Sequence, residues 1–301
     1  AMLSGMGFAE IMCTSFTSKE YFDKFPVEEN SVAVHNALSQ DLNCMRPDML
    51  FGGLESIAHN LNFRNSDMKL YEFGRIYHLY PESEEKPGSR YREINSLGIW
   101  LSGNLRKKQW NDTERKAEFF TLKAYIEAVL KKSGIKISDL NIKTFDSNSL
   151  SNVIAYYFKD RFLAFGGNVR SDVLKYMDIE QEVFYARIDM DAVLKTIRKH
   201  KTQFQAIPKF PKVERDLALL IDESIDFESI KKLAFSSDRK LLQSVELFDV
   251  YQGKNLPEGK KSYAIRFVLQ DFEKTLKDKE IDKLMNKLIQ TFVNKLGAQL
   301  R

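Results

Sequence analysis

The stretch Val245–Phe267, VELFDVYQGKNLPEGKKSYAIRF, carries side chains able to hold a flat, polar ligand. Its apolar residues alternate on either side of a polar, glycine-containing connection, so it reads as a half-buried hairpin. The same alternation places Asp249, Tyr251, Ser262 and Arg266 together on the opposite face. There the phenol ring offers a stacking platform and the carboxylate accepts from amine or imino groups, while the guanidinium of Arg301, at the end of the chain, suits a phosphate, a base edge or a stack.

Those side chains need a sheet to hold them, and the residues from Pro208 onward supply its order. VERDLALLI reads as a strand, FESIKKLAFSS as a short helix, the hairpin as two strands and AQLR as a last short strand. Before it, DKEIDKLMNKLIQTFVNKLG repeats apolar residues every three or four positions, with Asp278 as the expected N-cap and Gly297 as the stop. This is a ferredoxin-like βαββαβ order, with both helices covering one sheet face. Parity then predicts Leu217, Leu219, Ile221, Phe248, Val250, Tyr263, Ile265, Phe267, Leu269 and Leu300 inward. Ala218, Asp249, Tyr251, Ser262, Ala264, Arg266 and Arg301 are predicted on the open face. Val245 and Leu247 have the wrong parity for that scheme, which predicts a bulge near Leu247. Unpaired bases of an RNA loop would suit this surface. A mixed polar face of this kind also serves in sheets that dimerise or bind nothing.

The chain of 301 residues suggests about two domains. Hydrophobic residues make up 43% and charged residues 29%, an ordinary soluble globular balance. No apolar run approaches the ~20 residues of a membrane span, so no membrane partner is expected. The opening AMLSGMGFAE reads as already inside a fold, as in a piece of a longer protein. Cys13 and Cys44 are expected as buried thiols in a reducing cytoplasm, and the four histidines show no metal-ligand spacing. Net charge is +4, of which residues 208–301 hold +3 (18 basic, 15 acidic). That excess is too modest to establish a nucleic-acid partner.

Upstream, helix and strand mix. DMLFGGLESIAHNLNF carries a helical stripe; MKLYEFGRIYHLY and YREINSLGIWLSG read as adjacent strands across the polar loop PESEEKPGS. FFTLKAYIEAVLKKSG is an amphipathic helix ended by Gly134. NVIAYYFKDRFLAFGG is a hairpin turning at Lys159-Asp160, and VFYARIDMDAVLKTIRKH passes from strand into helix. Pro208 and Pro211 mark the break, giving domains 1–205 and 206–301. Tyr71, Phe73 and Tyr77 are expected in the core. Glu84-Glu85 is solvated loop charge, and the FGG at Phe51 lacks the features of a phosphate loop. NLRKKQW (Asn104–Trp110) joins cations to an aromatic and is read as a solvated loop that could touch RNA.

FPKVERDLALLID, LLQSVELFDVYQGKNLPEGKKSYAIRF, TLKDKEIDKL and LGAQLR closely resemble the ferredoxin-fold anticodon-binding domain of the bacterial phenylalanyl-tRNA synthetase beta subunit. GFAEIMCTSFTS, NALSQDLNCMRPDMLFGGLESIAHNLN and KLYEFGRIY are similar to that family's catalytic-like module. The resemblance implies an α+β fold: a class II synthetase-like antiparallel sheet module, then a ferredoxin-like domain. It implies RNA contacts at Ala218, Asp249, Tyr251, Ser262 and Arg301, tRNA(Phe) as partner, and an α2β2 assembly in which the alpha subunit is catalytic. ATP and Mg2+ are implied for the assembled cytoplasmic enzyme, with no cofactor, metal or catalytic residue in this chain. The place of the first class II arginine falls on Leu70. FGGNVRSD, read as a loop over 165–172, is the nearest match to the second and departs from the family pattern. The helix after NCMRPDML, with Arg46 near its start, is the expected contact to the alpha subunit. The resemblance assigns no editing site to these residues. The rival reading is a small-ligand regulatory module attached to a self-contained ATP-using ligase.

Overall fold

The computed structural model describes residues 1–27, 31–37, 39–81, 90–198, 207–253 and 256–301. Two compact units divide the chain, Ala1–Thr202 and Gln203–Arg301. Residues 82–89 of the expected loop 81–89, including Glu84-Glu85, and much of the expected break before Ile207 lie outside the described residues.

The first unit opens with α1 (Met2–Gly5), β1 (Ala9–Glu10), β2 (Phe16–Thr17), α2 (Lys19–Lys24), β3 (Val32–Ala33) and β4 (Cys44–Met45). Helix α3 (Leu50–Asn62) leads into the long strands β5 (Met68–Leu79) and β6 (Tyr91–Ser102). A small arm, β7 (Asn104–Arg106) and β8 (Arg115–Lys116), precedes α4 (Phe119–Lys132). The unit ends with β9 (Leu140–Thr144), β10 (Leu150–Phe158), β11 (Arg161–Val169), α5 (Ser171–Tyr176), β12 (Val183–Asp189) and α6 (Met190–Ile197). Seven strands form one sheet in the order β1-β5-β6-β12-β11-β10-β9, antiparallel except where β1 runs beside β5.

Strand alternation gives that sheet two buried faces. Leu70, Ile76, Ile94, Trp100, Val183 and Tyr185 meet α2, α3 and α5 on one side. Tyr71, Leu97, Ile99, Leu101, Phe184 and Ile188 meet α1, α4 and α6 on the other. The α3 glycines answer a packing demand rather than a phosphate. A Cβ on Gly53 would stand 2.0 Å from the Trp100 ring, so only glycine lets the helix settle on β6. Phe73 departs from expectation: Tyr71 is buried, but Phe73 lies in solvent at the surface of β5. The hairpin turn at Lys159 is as expected, with Lys159 at φ 55°.

The second unit runs β13 (Val213–Asp222), α7 (Phe227–Ser237), β14 (Leu242–Tyr251), β15 (Lys260–Leu269), α8 (Asp278–Leu296) and β16 (Gln299–Leu300). Its antiparallel sheet has the order β14-β15-β13-β16, the ferredoxin-like arrangement. Leu219, Ile221, Tyr263, Ile265 and Phe267 form the core with Ile230, Leu284, Leu288 and Phe292 from α7 and α8. Helix α8 starts one residue earlier than an Asp278 cap implies. Lys277 is the cap, and its N–H donates to the Glu280 carboxylate at 3.1 Å. Gly297 ends the helix in the left-handed region at φ 60°. Among the described residues no helix is long and apolar enough to cross a membrane.

Candidate nucleic-acid interface

Because α7 and α8 cover one face of the second sheet, the ladder sorts the remaining side chains into rows across the other. One row pairs Asp249 with Ala264 and Ala264 with Ala218; the Arg301 N–H then donates to the Ala218 carbonyl at 3.1 Å. The next row pairs Tyr251 with Ser262 and Ser262 with Leu220. Ala218, Asp249, Tyr251, Ser262 and Arg301 therefore occupy two adjacent rows.

The two rows are tied by a cation–π contact. The Arg301 guanidinium carbon lies 5.3 Å from the Tyr251 ring centroid. Three strand spacings, about 14 Å, separate β16 from β14, so the two side chains meet over the middle strands. The small side chains of Ala218 and Ala264 leave room for this crossing. One residue of these rows departs from expectation: Ser262 faces the open side yet is only 6% exposed. Its hydroxyl belongs to the floor, whereas Tyr251 (38% exposed) and Asp249 form the accessible surface.

A bulge lies between Leu247 and Asp249, where the register shifts. It inserts Phe248, and this overturns the expectation that Phe248 points inward. The ring is 56% exposed, and the Arg266 guanidinium lies 5.4 Å from its centroid. Both Val250 and Leu300 share a face with core residues by register, but each strand outruns its helix cover and both side chains are exposed.

A third row holds Asp216, Arg266 and Glu246. Two bonds of 2.9 Å from Arg266 to Asp216 form a fork, and Glu214 adds a contact at 3.3 Å. This clamp raises the Arg266 pKa, chiefly through Asp216, and in return holds the Asp216 carboxyl below its usual range. Arg266 is thus satisfied by carboxylates, and this end of the face is acidic. Glu214 and Asp216 share the parity of Ala218 in VERDLALL, a signal the sequence carried. Gly253 was also missed: a Cβ there would stand 2.6 Å from Tyr251 Oη, so the glycine admits the ring.

The first unit has a cleft of about 660 Å3 on the α3 side of its sheet. Asp48 and Arg187 form an ion pair of 2.6 Å at its floor, with Tyr185 Oη donating to Asp48 at 2.8 Å. Burial, then the Asp48 charge, pushes the Tyr185 pKa well above the usual phenol range. Leu70, on β5 of this sheet, is buried in the core. The expected 165–172 loop is the end of β11 and the start of α5. Gly166 packs against Ile126 of α4, and Arg170 is forked onto its neighbour Asp172. Arg46 is no surface contact either. It is 4% exposed, bonded to Glu72 at 2.9 Å and to the Arg75 carbonyl at 2.9 Å. Both cysteines are free; Cys44 is buried and Cys13 half-buried, with both pKa values pushed up to about 11 by burial. No cluster of metal-ligating side chains occurs among the described residues.

Residues 1–190 match the family described as the phenylalanyl tRNA synthetase beta chain CLM domain, and residues 208–301 match the ferredoxin-fold anticodon binding domain. Among curated relatives, the phenylalanine–tRNA ligase beta subunit of Bacteroides fragilis is 43% identical over 99% of this chain. Those of Bacteroides thetaiotaomicron and Clostridium acetobutylicum are 42% and 33% identical over 99% and 100%. The chain spans 37%, 37% and 36% of those relatives. A solved pyrrolysyl tRNA synthetase from Desulfitobacterium hafniense aligns with 65% of this chain and 63% of its own, at TM-score 0.48 and 15% identity.

Proposed function

The chain belongs to the phenylalanyl-tRNA synthetase beta-chain family, and from that premise we propose that it forms the non-catalytic C-terminal portion of a phenylalanine–tRNA ligase beta subunit. Its second unit binds the anticodon stem-loop of tRNA(Phe) on the open sheet face. Its first unit builds the assembly with the catalytic alpha subunit, as an α2β2 enzyme of the cytoplasm.

The observation supporting the RNA role is the pair of adjacent rows holding Arg301, Ala218, Asp249, Ser262 and Tyr251. Tyr251 presents a ring on which a splayed base stacks, and Asp249 and Arg301 supply an acceptor and donors for base edges. The alanines and Ser262 keep the floor low enough for a flat group to approach the backbone.

The assembled enzyme charges tRNA with phenylalanine using ATP and Mg2+. The residues of the first unit do not fit that pair. Leu70 is buried where the family's first arginine is expected, and Arg187 already pairs with Asp48 in the cleft. No step of the reaction is therefore assigned to this chain. The decisive experiment is a titration of this chain with a tRNA(Phe) anticodon stem-loop at fixed salt, beside a stem-loop of different anticodon. Saturable preference for the first supports the assignment; equal affinity for both removes it. Phenylalanine-dependent ATP–pyrophosphate exchange by the pure chain would separately overturn its non-catalytic role.

A further inference from the structure

We propose that the β7–β8 arm of the first unit is a second RNA-contact site, which takes an unpaired base on Trp110 and flanking phosphates on its cations. This goes beyond the anticodon reading and concerns the other unit. Strands β7 and β8 pair Asn104 with Lys116 and Arg106 with Arg115. Beyond them Gln109 and Asp112 exchange backbone hydrogen bonds of 3.1 and 3.4 Å, leaving Trp110 and Asn111 as the two residues at the tip.

The arm is built to hold its tip in place. Asp112 receives Arg106 across the turn. At the base, Asp67 accepts from the Asn104 N–H at 2.8 Å and pairs with Lys107 at 3.3 Å. Gly103 takes φ +72°, and a Cβ there would stand 2.2 Å from the Ser66 carbonyl. Such anchoring holds an indole that is 97% exposed, although tip positions ordinarily take small polar residues.

Two occupants suit an exposed indole, and the surroundings favour one. A protein hot spot buries its tryptophan within a ring of neighbours that exclude water. Lys108, Gln109, Asn111 and Thr113 are instead all polar and exposed, so no apolar rim encircles Trp110. Stacking on a base requires only one flat face, and cations beside the ring attract the adjoining phosphates. Residues 104–116 hold five basic side chains against two acidic ones, and Lys108, Arg115 and Lys116 project into solvent.

The chain has two tryptophans. Trp100 is fully buried, so Trp110 is the one that solvent quenchers reach. The full chain carrying Tyr251→Ala is titrated with a mixed-sequence single-stranded RNA of about ten nucleotides. Acrylamide quenching of Trp110 should fall as RNA saturates. Adding Trp110→Ala should weaken affinity about five- to hundredfold, and Trp110→Tyr should restore most of it. Replacing Lys108 and Arg115 with serine should flatten the salt dependence by a slope of about one to two. RNA that saturates without shielding Trp110 overturns the proposal. So does shielding that follows protein concentration alone, which would assign the tip to a second copy of the chain. With Tyr251 already removed and the readout confined to Trp110, either site can fail without masking the other.

Discussion

Arg301 and Tyr251 stand on strands three spacings apart, yet the guanidinium of one lies over the ring of the other at 5.3 Å. Between them the ladder places the small residues Ala218 and Ala264. An incoming base meets a ring whose outer partner is a planar cation, so the base must take the cation's place or share the ring with it. Tyr251→Ala should weaken anticodon stem-loop binding by about 1–3 kcal/mol, whereas Tyr251→Phe keeps the stack and most of the affinity. Arg301→Lys keeps the charge and loses the plane, so affinity should fall while the salt slope stays as in the parent. Calorimetric titration at two salt concentrations reads both.

Gly253 leaves room for the end of that ring. A methyl group at 2.6 Å from Tyr251 Oη forces the phenol to move. Gly253→Ala should therefore weaken RNA binding while the melting temperature stays within a few degrees of the parent. A variant that melts early but binds with parental affinity would show that the glycine serves only the turn.

The buried pair Arg46–Glu72 makes a prediction about stability. Both side chains are almost wholly removed from solvent, and Arg46→Leu leaves the carboxylate buried without its cation. The expected cost is about 3–5 kcal/mol, read as a lowered denaturation midpoint of the first unit. A loss below ~1 kcal/mol would mean that Glu72 takes up a proton or another donor at little cost.

Acid should weaken the second unit through Asp216 and Asp226. The Arg266 fork lowers the first carboxyl and the Ser229 cap lowers the second, both from 3.8. A depressed folded-state pKa means stability that is fully present above the unfolded value and lost as pH falls through the folded one. Stability should thus hold at neutral pH and decline below about pH 4. The difference between parent and Asp216→Asn should shrink over that same range, as seen in melting temperatures from pH 7 to pH 2.5. A difference that persists undiminished at the acid end would locate the effect elsewhere.

What the sequence made legible was local. Alternation in VERDLALLI and in SYAIRFVL placed Leu219, Ile221, Ile265 and Phe267 in the core, because each strand's own period decides its faces. Phe248 escaped that logic. A bulge adds one residue, and between two apolar neighbours the pattern does not say which is the extra one. The burial of Ser262 is not legible either, because a strand's period assigns a face and not what lies over it. The inward pairing of Arg46, expected near a subunit contact, is hidden in the sequence because its partner, Glu72, arrives from a later strand. Phe73 alternates with buried neighbours, but its position on β5 has no cover.

The extra residue in β14 has a further effect. Beyond it the pairing continues one residue out of step, with Phe248 skipped, Val250 opposite Tyr263 and Tyr251 opposite Ser262. The ladder does not need Phe248 for its register. What the insertion alters is the outer rim, where it adds to the register shift between Leu242 and Ser244 in interrupting the line of amides and carbonyls that β14 offers a neighbouring molecule. A kinked rim on this side and a two-residue strand on the other leave little for a foreign strand to pair with. The distortion that turns Phe248 outward thereby also guards the domain against aggregation through its own sheet.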